Sequence, residues 1–411
     1  MAAPPPPSPL HILRTHHQPV SAVFISSDNE RIYSGDAKGR VVITSTRSLR
    51  AIANWAAHTE SLLGIEEFGK LVITHGRDNK IHVWHRPSES VSIRQGGAAS
   101  LTDLTVPALS YSLDVNAMNY CRFSLLPLSS LNSEGTALIA VPNLVESALA
   151  DVWMLPDRTR LHAAIGDPQD TSATNFSDGR SGSKMGIIMS MHLYYAPLSS
   201  PSTSKARREL RLLCAYEDGG VVLRRRTTSE GTQTVEGRGW EAMWKSKLHV
   251  ESVMAMAVSK DCSFALTVSA DHLVGRYDLN ASRTSKQSET AQPDRVFRTK
   301  HPGNAAIAIR DDGRVCAIGG WDGKVHLYST KSFKSLGTLV CHKENCQALT
   351  FASSFHNHTT DRNSGDNTSN EAEDDEDDMT DGEKQQRARW LVTAGKDYRV
   401  SIWGLMSFEK V

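Results

Sequence analysis

One pattern recurs along this chain and constrains its fold more than any other feature. It is a short apolar strand, a small residue, Asp, a turn residue, then alternating apolar positions that end in an aromatic. The clearest copies are THGRDNKIHVW at 74–84, IGGWDGKVHLY at 318–328 and TAGKDYRVSIW at 393–403. Weaker copies are TVSADHLVGRY at 267–277, CAYEDGGVVLR at 214–224 and SGDAKGRVVIT at 34–44. In all six the turn position precedes the terminal position by six residues. A seventh copy has lost its turn Asp and is placed by spacing on DVWMLP at 151–156.

Terminal positions then fall at 44, 84, 153, 224, 277, 328 and 403, at intervals of 40, 69, 71, 53, 51 and 75. The shortest interval matches the period of a four-stranded propeller blade, about 40–45 residues. The excess in the others lies in polar segments at 87–107, 166–184, 199–209, 280–294 and 352–388, which read as loop insertions. The expected fold is therefore all-β, a seven-bladed propeller spanning 10–404. Residues 1–9 form a proline-rich tail, 405–411 a second tail, and an acidic insertion without fixed structure occupies about 353–388. The last repeat ends its third strand at Trp403 and lacks an outer strand. LHILRT at 10–15 alternates suitably to supply it, closing the ring and covering an unpaired edge.

The repeat also carries polar residues in register. In the second repeat His58 opens the unit and Asp78 holds the turn, where a carboxylate accepts hydrogen bonds from the turn's own N–H groups and from a histidine ring. Thr74 and Trp84 are placed to extend that chain of bonds. His249 with Asp271, His301 with Asp322, and His342 with Asp397 stand in comparable order. Asp218, Tyr277, Tyr328 and Trp403 fill the corresponding turn and terminal positions. A catalytic pair occurs once, whereas these recur with the blades, so they read as a structural network and not as an active site.

Composition narrows the function classes. Lys plus Arg and Asp plus Glu are 46 each, so no bulk field draws the chain to nucleic acid or an anionic membrane. The start, MAAPPPPSPL, lacks the basic and apolar regions of a signal peptide. Six cysteines are too few for a disulfide framework, and the Cys341/Cys346 pair has no second pair to complete a zinc site. No cofactor or metal is expected. GRSGSK at 179–184 has the wrong spacing for a phosphate loop. Lys205, Arg207, Arg208, Arg211 and the run 224–226 form short basic clusters, with Arg225 and Arg226 expected on an exposed loop. EAEDDEDDMTD at 371–381 is strongly acidic, and His356 with His358 is weak evidence for a metal.

The pattern resembles WD-repeat propellers, although the WD dipeptide is missing from the strand ends. Trp321-Asp322 is a WD only by accident, because its Asp is the turn residue. More narrowly, SGDAKG, ITHGRDNKIHVW, SLDVNAMNYCRFS, GGWDGKVHLYS and CHKENCQALTF resemble the fungal ASTRA-associated protein 1 family. Its animal relative is the guanine nucleotide-binding protein β-subunit-like protein 1. The resemblance implies a non-catalytic subunit of ASTRA, an assembly of nucleus and cytoplasm linked to chromatin regulation and to stabilising PIKK-class kinases. It implies helical-repeat cochaperones of those kinases and RuvB-like AAA+ ATPases as partners, with the chain a monomeric propeller within a hetero-complex. A substrate receptor of a cullin-type ubiquitin ligase is the alternative, weakened because Trp84 is followed by His85-Arg86 and Trp403 by Gly404. A G-protein β subunit would need an N-terminal helix that residues 1–9 cannot form. A propeller enzyme would need a site converging on the central channel.

Overall fold

Alternating apolar residues, punctuated by Gly, Asn and Asp turns, set the chain into short antiparallel strands. The computed structural model describes residues 7–87, 104–118, 120–128, 135–166, 185–197, 208–227, 233–280, 295–354 and 380–406. Among them, strand β1 (His11–Leu13) comes first. Blade 1 holds β2 (Val20–Ile25), β3 (Arg31–Asp36), β4 (Arg40–Ser45) and β5 (Ala51–Ala56). Blade 2 holds β6 (Leu62–Phe68), β7 (Leu71–Gly76), β8 (Lys80–His85) and β9 (Leu109–Asp114). Blade 3 holds β10 (Ser124–Pro127), β11 (Ala137–Pro142), β12 (Ala150–Leu155) and β13 (Thr159–Ile165). Blade 4 holds β14 (Ile188–Pro197), β15 (Arg208–Tyr216), β16 (Gly220–Arg226) and β17 (Trp240–Lys247). Blade 5 holds β18 (Val253–Val258), β19 (Phe264–Ser269), β20 (Leu273–Asp278) and β21 (Arg295–Arg298). Blade 6 holds β22 (Asn304–Ile309), β23 (Val315–Gly320), β24 (Lys324–Ser329) and β25 (Ser335–Val340). Blade 7 holds β26 (Cys346–Phe351), β27 (Trp390–Gly395) and β28 (Val400–Gly404), with helix α1 (Asp381–Arg387) between the first two.

Each blade is a four-stranded antiparallel sheet, and the seven form a propeller. The seventh is completed by β1, whose His11, Ile12 and Leu13 pair with Ile402, Ser401 and Val400. The chain thus closes the ring as the sequence predicts. First strands of neighbouring blades face one another around the axis, as in β2 against β26 and β18 against β22. Second strands are buried on both faces, so β3, β11, β19, β23 and β27 are covered along their whole length. The core is divided into wedges between blades. One joins Tyr33 and Trp55 of blade 1 to Leu62 and Trp84 of blade 2, and another joins Leu13 and Val400 to Val20 and Ile32. All seven expected third strands lie where the spacing places them, including β12 over the degenerate copy.

The insertion in blade 7 differs from expectation at its end. Residues 355–379 lie outside the described residues, but 380–388 do not follow the expected lack of structure. Thr380 caps α1 in a capping box with Glu383. Arg387 is buried over the Trp390 ring and donates to the Thr46 carbonyl, and Lys384 approaches Glu30 of blade 1. Leu405, assigned to the tail, is also buried and donates its N–H to the Arg389 carbonyl. The expectation failed because helix propensity and capping residues follow the acidic run directly, where composition alone reads as one polar stretch. GRSGSK, His356 and His358 lie outside the described residues. Among the described residues no helix is long and apolar enough to cross a membrane.

Within every blade the strands alternate direction, so the connections divide between two faces. The connections from second to third strand and from blade to blade lie on one face, here called the upper face. The connections from first to second and from third to fourth strand begin and end on the lower face, where helix α1 of blade 7 also lies.

Candidate protein-interaction surface

The upper-face turns are fixed by polar networks, and blade 2 shows the full form. His58 Nδ1 lies 2.8 Å from Asp78 and Nε2 lies 2.8 Å from Thr74 Oγ1, while Trp84 Nε1 donates to Thr74 Oγ1 at 2.9 Å. A carboxylate only accepts and an indole only donates, so the chain of donors runs Trp84 to Thr74 to His58 to Asp78. Burial drives the His58 pKa below its usual value against the pull of Asp78, which keeps the ring neutral, as this donor order needs. Burial raises the Asp78 pKa, but the Thr59 N–H and His58 outweigh it and the carboxyl stays ionised. Gly76 is required beside this network, since a Cβ there would sit 2.4 Å from His58 Nδ1. His82 stacks on His58 with ring centroids 4.6 Å apart, and the ligand atoms of His58, Asp78 and His82 lie within 4.8 Å of one another. Both His58 nitrogens are spent in protein hydrogen bonds, so the trio is built as a lock.

The other blades vary this device. Blade 7 repeats it across the insertion: His342 meets Asp397 and Thr393 at 2.9 Å each, and Trp403 donates to Ser401 at 3.0 Å. In blade 5 His249 meets Asp271 at 3.0 Å and Thr267 at 2.9 Å, and Tyr277 takes the place of Trp, buried against Trp244. Blade 6 does not follow the prediction. His301 is exposed and makes no side-chain bond to Asp322, which instead accepts from the Lys324 N–H. The reason is Ile318, which stands where Thr74 stands in blade 2 and offers no hydroxyl to a ring nitrogen. Tyr328 therefore has no such network to join, and stacks on Phe333 at 4.3 Å. Asp218 of blade 4 also lacks a histidine: it accepts from the Gly220 N–H and pairs with Lys247 at 3.0 Å. Cys214 occupies the hydroxyl position there, and buried Arg224 donates to Tyr216 in place of an aromatic. Arg225 and Arg226 belong to strand β16 and not to a loop; Arg225 pairs with Glu241, and Arg211 with Glu209 at 2.7 Å.

Two networks escaped the sequence reading. In blade 1 His16 meets Asp36 at 2.9 Å and Ser34 at 2.8 Å. Asp36 occupies the position of Gly76, two residues before the usual turn Asp, so the pattern hid it. The signal was the separation of 20 residues between His16 and Asp36, equal to that between His58 and Asp78. In blade 3 asparagines replace histidine. Asn116 donates to the Asn143 carbonyl at 2.5 Å, Asn143 donates to buried Asp151 at 2.9 Å, and Ser147 donates to Asn116 at 3.2 Å.

These locks hold turns whose outward side chains are apolar at several places. Met118, Tyr120, Leu144, Val145, Val250 and Trp321 are all exposed on the upper face. Tyr398 joins them at a left-handed φ of 68°, where Asn79 of blade 2 has φ 66°. Asn accepts that conformation readily and Tyr does not, so an exposed aromatic is held there at a backbone cost. A ring of rigid turns carrying aromatic and aliphatic side chains suits recognition of a large partner.

A model of the WD domain, G-beta repeat, matches residues 7–45. The chain is 30% identical to ASTRA-associated protein 1 of Aspergillus niger over 98% of each protein. This chain belongs to the ASTRA-associated protein 1 family. A relative of the same description from Verticillium alfalfae is 30% identical, covering 97% of this chain and 93% of its own length. Family likeness extends to the mouse guanine nucleotide-binding protein subunit beta-like protein 1, at 21% identity over 98% of this chain and 97% of that one. The family and the propeller therefore agree with the blade pattern and with the motifs that carry the resemblance.

Proposed function

We propose that the protein is a non-catalytic WD-repeat scaffold subunit of an ASTRA-type assembly. Full-length likeness to ASTRA-associated proteins carries this reading. The geometry supports it: the His–Asp pairs, the residues best suited to proton transfer, are committed to blade locks with both histidine nitrogens bonded. The partners implied by the family resemblance are helical-repeat cochaperones of PIKK-class kinases and RuvB-like AAA+ ATPases. The place of action is the nucleus, with a role in chromatin regulation and in the stability of those kinases. No direct nucleic-acid or membrane contact is invoked, in keeping with zero net charge.

Purification of the tagged full chain from cells should recover the cochaperones and ATPases in stoichiometric amounts. Depletion of the protein should lower the steady-state level of PIKK-class kinases. Recovery of a cullin adaptor without the cochaperones, with kinase levels unchanged, would replace this reading by the ubiquitin-receptor one.

A further inference from the structure

We propose that Met118, Tyr120, Leu144 and Val145, flanked by Arg77, form a preorganised docking patch for an acidic, amphipathic segment of a protein partner. The inference rests on the scaffold reading above and narrows it to one part of one face. The four apolar side chains project from two neighbouring upper-face loops. Val145 is 92% exposed, Tyr120 53%, Met118 49% and Leu144 42%. Scattered apolar exposure is ordinary, but here it is concentrated on loops that are tied to each other.

The tie is the asparagine network of blade 3. Asn116 bonds the Asn143 carbonyl, and Ser147 bonds the Asn116 side chain, so the loops cannot move independently. The same asparagines shape each loop. Asn116 Oδ1 accepts the Met118 N–H at 2.7 Å, and Asn143 Oδ1 accepts the N–H groups of Val145 and Glu146 at 3.0 Å each. Such turns fix the backbone that carries the apolar side chains. Blade 2 connects its second and third strands through residues 77–79, whereas blade 3 uses 143–149. The longer turn keeps its network and adds outward Leu144 and Val145. A surface ordered before binding loses less entropy on association.

Charge selects the occupant. The Arg77 guanidinium lies 4.4 Å from the centroid of the Tyr120 ring and forms no ion pair among the described residues. Arg122 is no part of this edge: its side chain runs along inner strand β6, with its Cβ beside Gly64 and its guanidinium 3.8 Å from Glu66. Glu146 turns its carboxylate toward the Ala148 N–H of its own loop. An apolar centre with an unpaired guanidinium at its edge complements apolar side chains flanked by Asp or Glu.

A photo-crosslinking residue at Val145 of the full chain, with a second at Val235 on the lower face, tests this in cells. The expected product joins position 145 to a segment of another assembly subunit that mixes apolar and acidic residues, and Val235 does not reach that segment. The double variant Leu144→Ser/Val145→Ser should recover the assembly about tenfold less well. Its melting temperature should be unchanged, since both side chains are exposed. Arg77→Glu should also reduce recovery, and Arg77→Lys should restore part of it. Full recovery by the double variant overturns the patch. So does a crosslink to a basic segment, to a second copy, or to residues 167–184 of the same chain. If the parent itself recovers no assembly subunit, the scaffold reading fails, and the identity of the segment crosslinked to Val145 still decides the patch.

Discussion

His75, in β7 beside Thr74, is fully buried, and among the described residues neither ring nitrogen has a hydrogen-bond partner. Phe123 lies against it with ring centroids 6.2 Å apart, in the wedge between blades 2 and 3. Burial, reinforced by neighbouring His58, brings its pKa from the ordinary 6.5 down to about 3. Above pH 6.5 the ring is neutral whether the chain is folded or not, and stability is unaffected. Below it the unfolded chain takes up a proton that the folded chain refuses, so stability falls as pH falls, until the folded ring also titrates near pH 3. The slope is about 1.4 kcal/mol per pH unit, so His75 alone removes about 2 kcal/mol between pH 8 and pH 5. His75→Leu abolishes this and removes two unbonded polar atoms. Urea denaturation followed by tryptophan fluorescence should show the variant at least as stable as the parent at pH 8. Its advantage should widen by about 2 kcal/mol at pH 5. A gap that is the same at both values would refute the reasoning, because His75 would then titrate alike in both states.

Two further perturbations follow from the blade locks and the insertion. Asp78→Ala and Asp397→Ala each strand a buried histidine N–H and should cost about 1–3 kcal/mol by the same denaturation assay. Asp322→Ala, with only half-buried His326 at 3.8 Å and no buried histidine to strand, should cost about 0.5 kcal/mol, and equal costs at all three sites would sink the assignment. Replacing 355–379 by a short Gly/Ser linker should leave the melting temperature unchanged, because α1 and Ser353 keep their anchors on blade 1; Arg387→Ala should lower it.

The ring was legible because its signal is periodic: six residues from turn to terminal position is a spacing that six of the seven blades repeat. The closing strand was legible because an unpaired edge demands a partner, and only one upstream segment alternated. The locks were legible where Asp kept its place, as at Asp78, Asp271 and Asp397. They were misread where a residue elsewhere in the blade decides the outcome. His301 and Asp322 have the right spacing, yet a histidine needs a hydroxyl as well as a carboxylate, and Ile318 withholds it. Asp36 was missed for the opposite reason, since it reaches His16 from a different backbone position. The exposed patch left almost no linear signal. Met118 and Leu144 are far apart in sequence, and only the pairing of Asn116 with Asn143 brings their loops together.

The distribution of locks bears on how the ring tolerates variation. Blades 4 and 6 lack the histidine network, and each stands between neighbours that retain a lock of some kind. Blade 4 lies between the asparagine network of blade 3 and His249 of blade 5, and blade 6 between His249 and His342. In a repeat architecture stability is nearly a sum of unit and nearest-neighbour contributions, so an unlocked blade is supported from both sides by its apolar wedges. Val253, Tyr277 and Leu279 pack on blade 4, while Leu349 and Trp403 pack on blade 6. Where the wedges suffice, the turn is released from its structural duty and its residues become free to vary. Trp321 stands in such a turn, beside an Asp that holds no buried histidine. Blade 3 shows another outcome, in which the turn lengthens, asparagines take over the lock, and the added residues face outward. The variable upper face is thus a consequence of a core divided among the blades, because losing one lock leaves the neighbouring wedges intact.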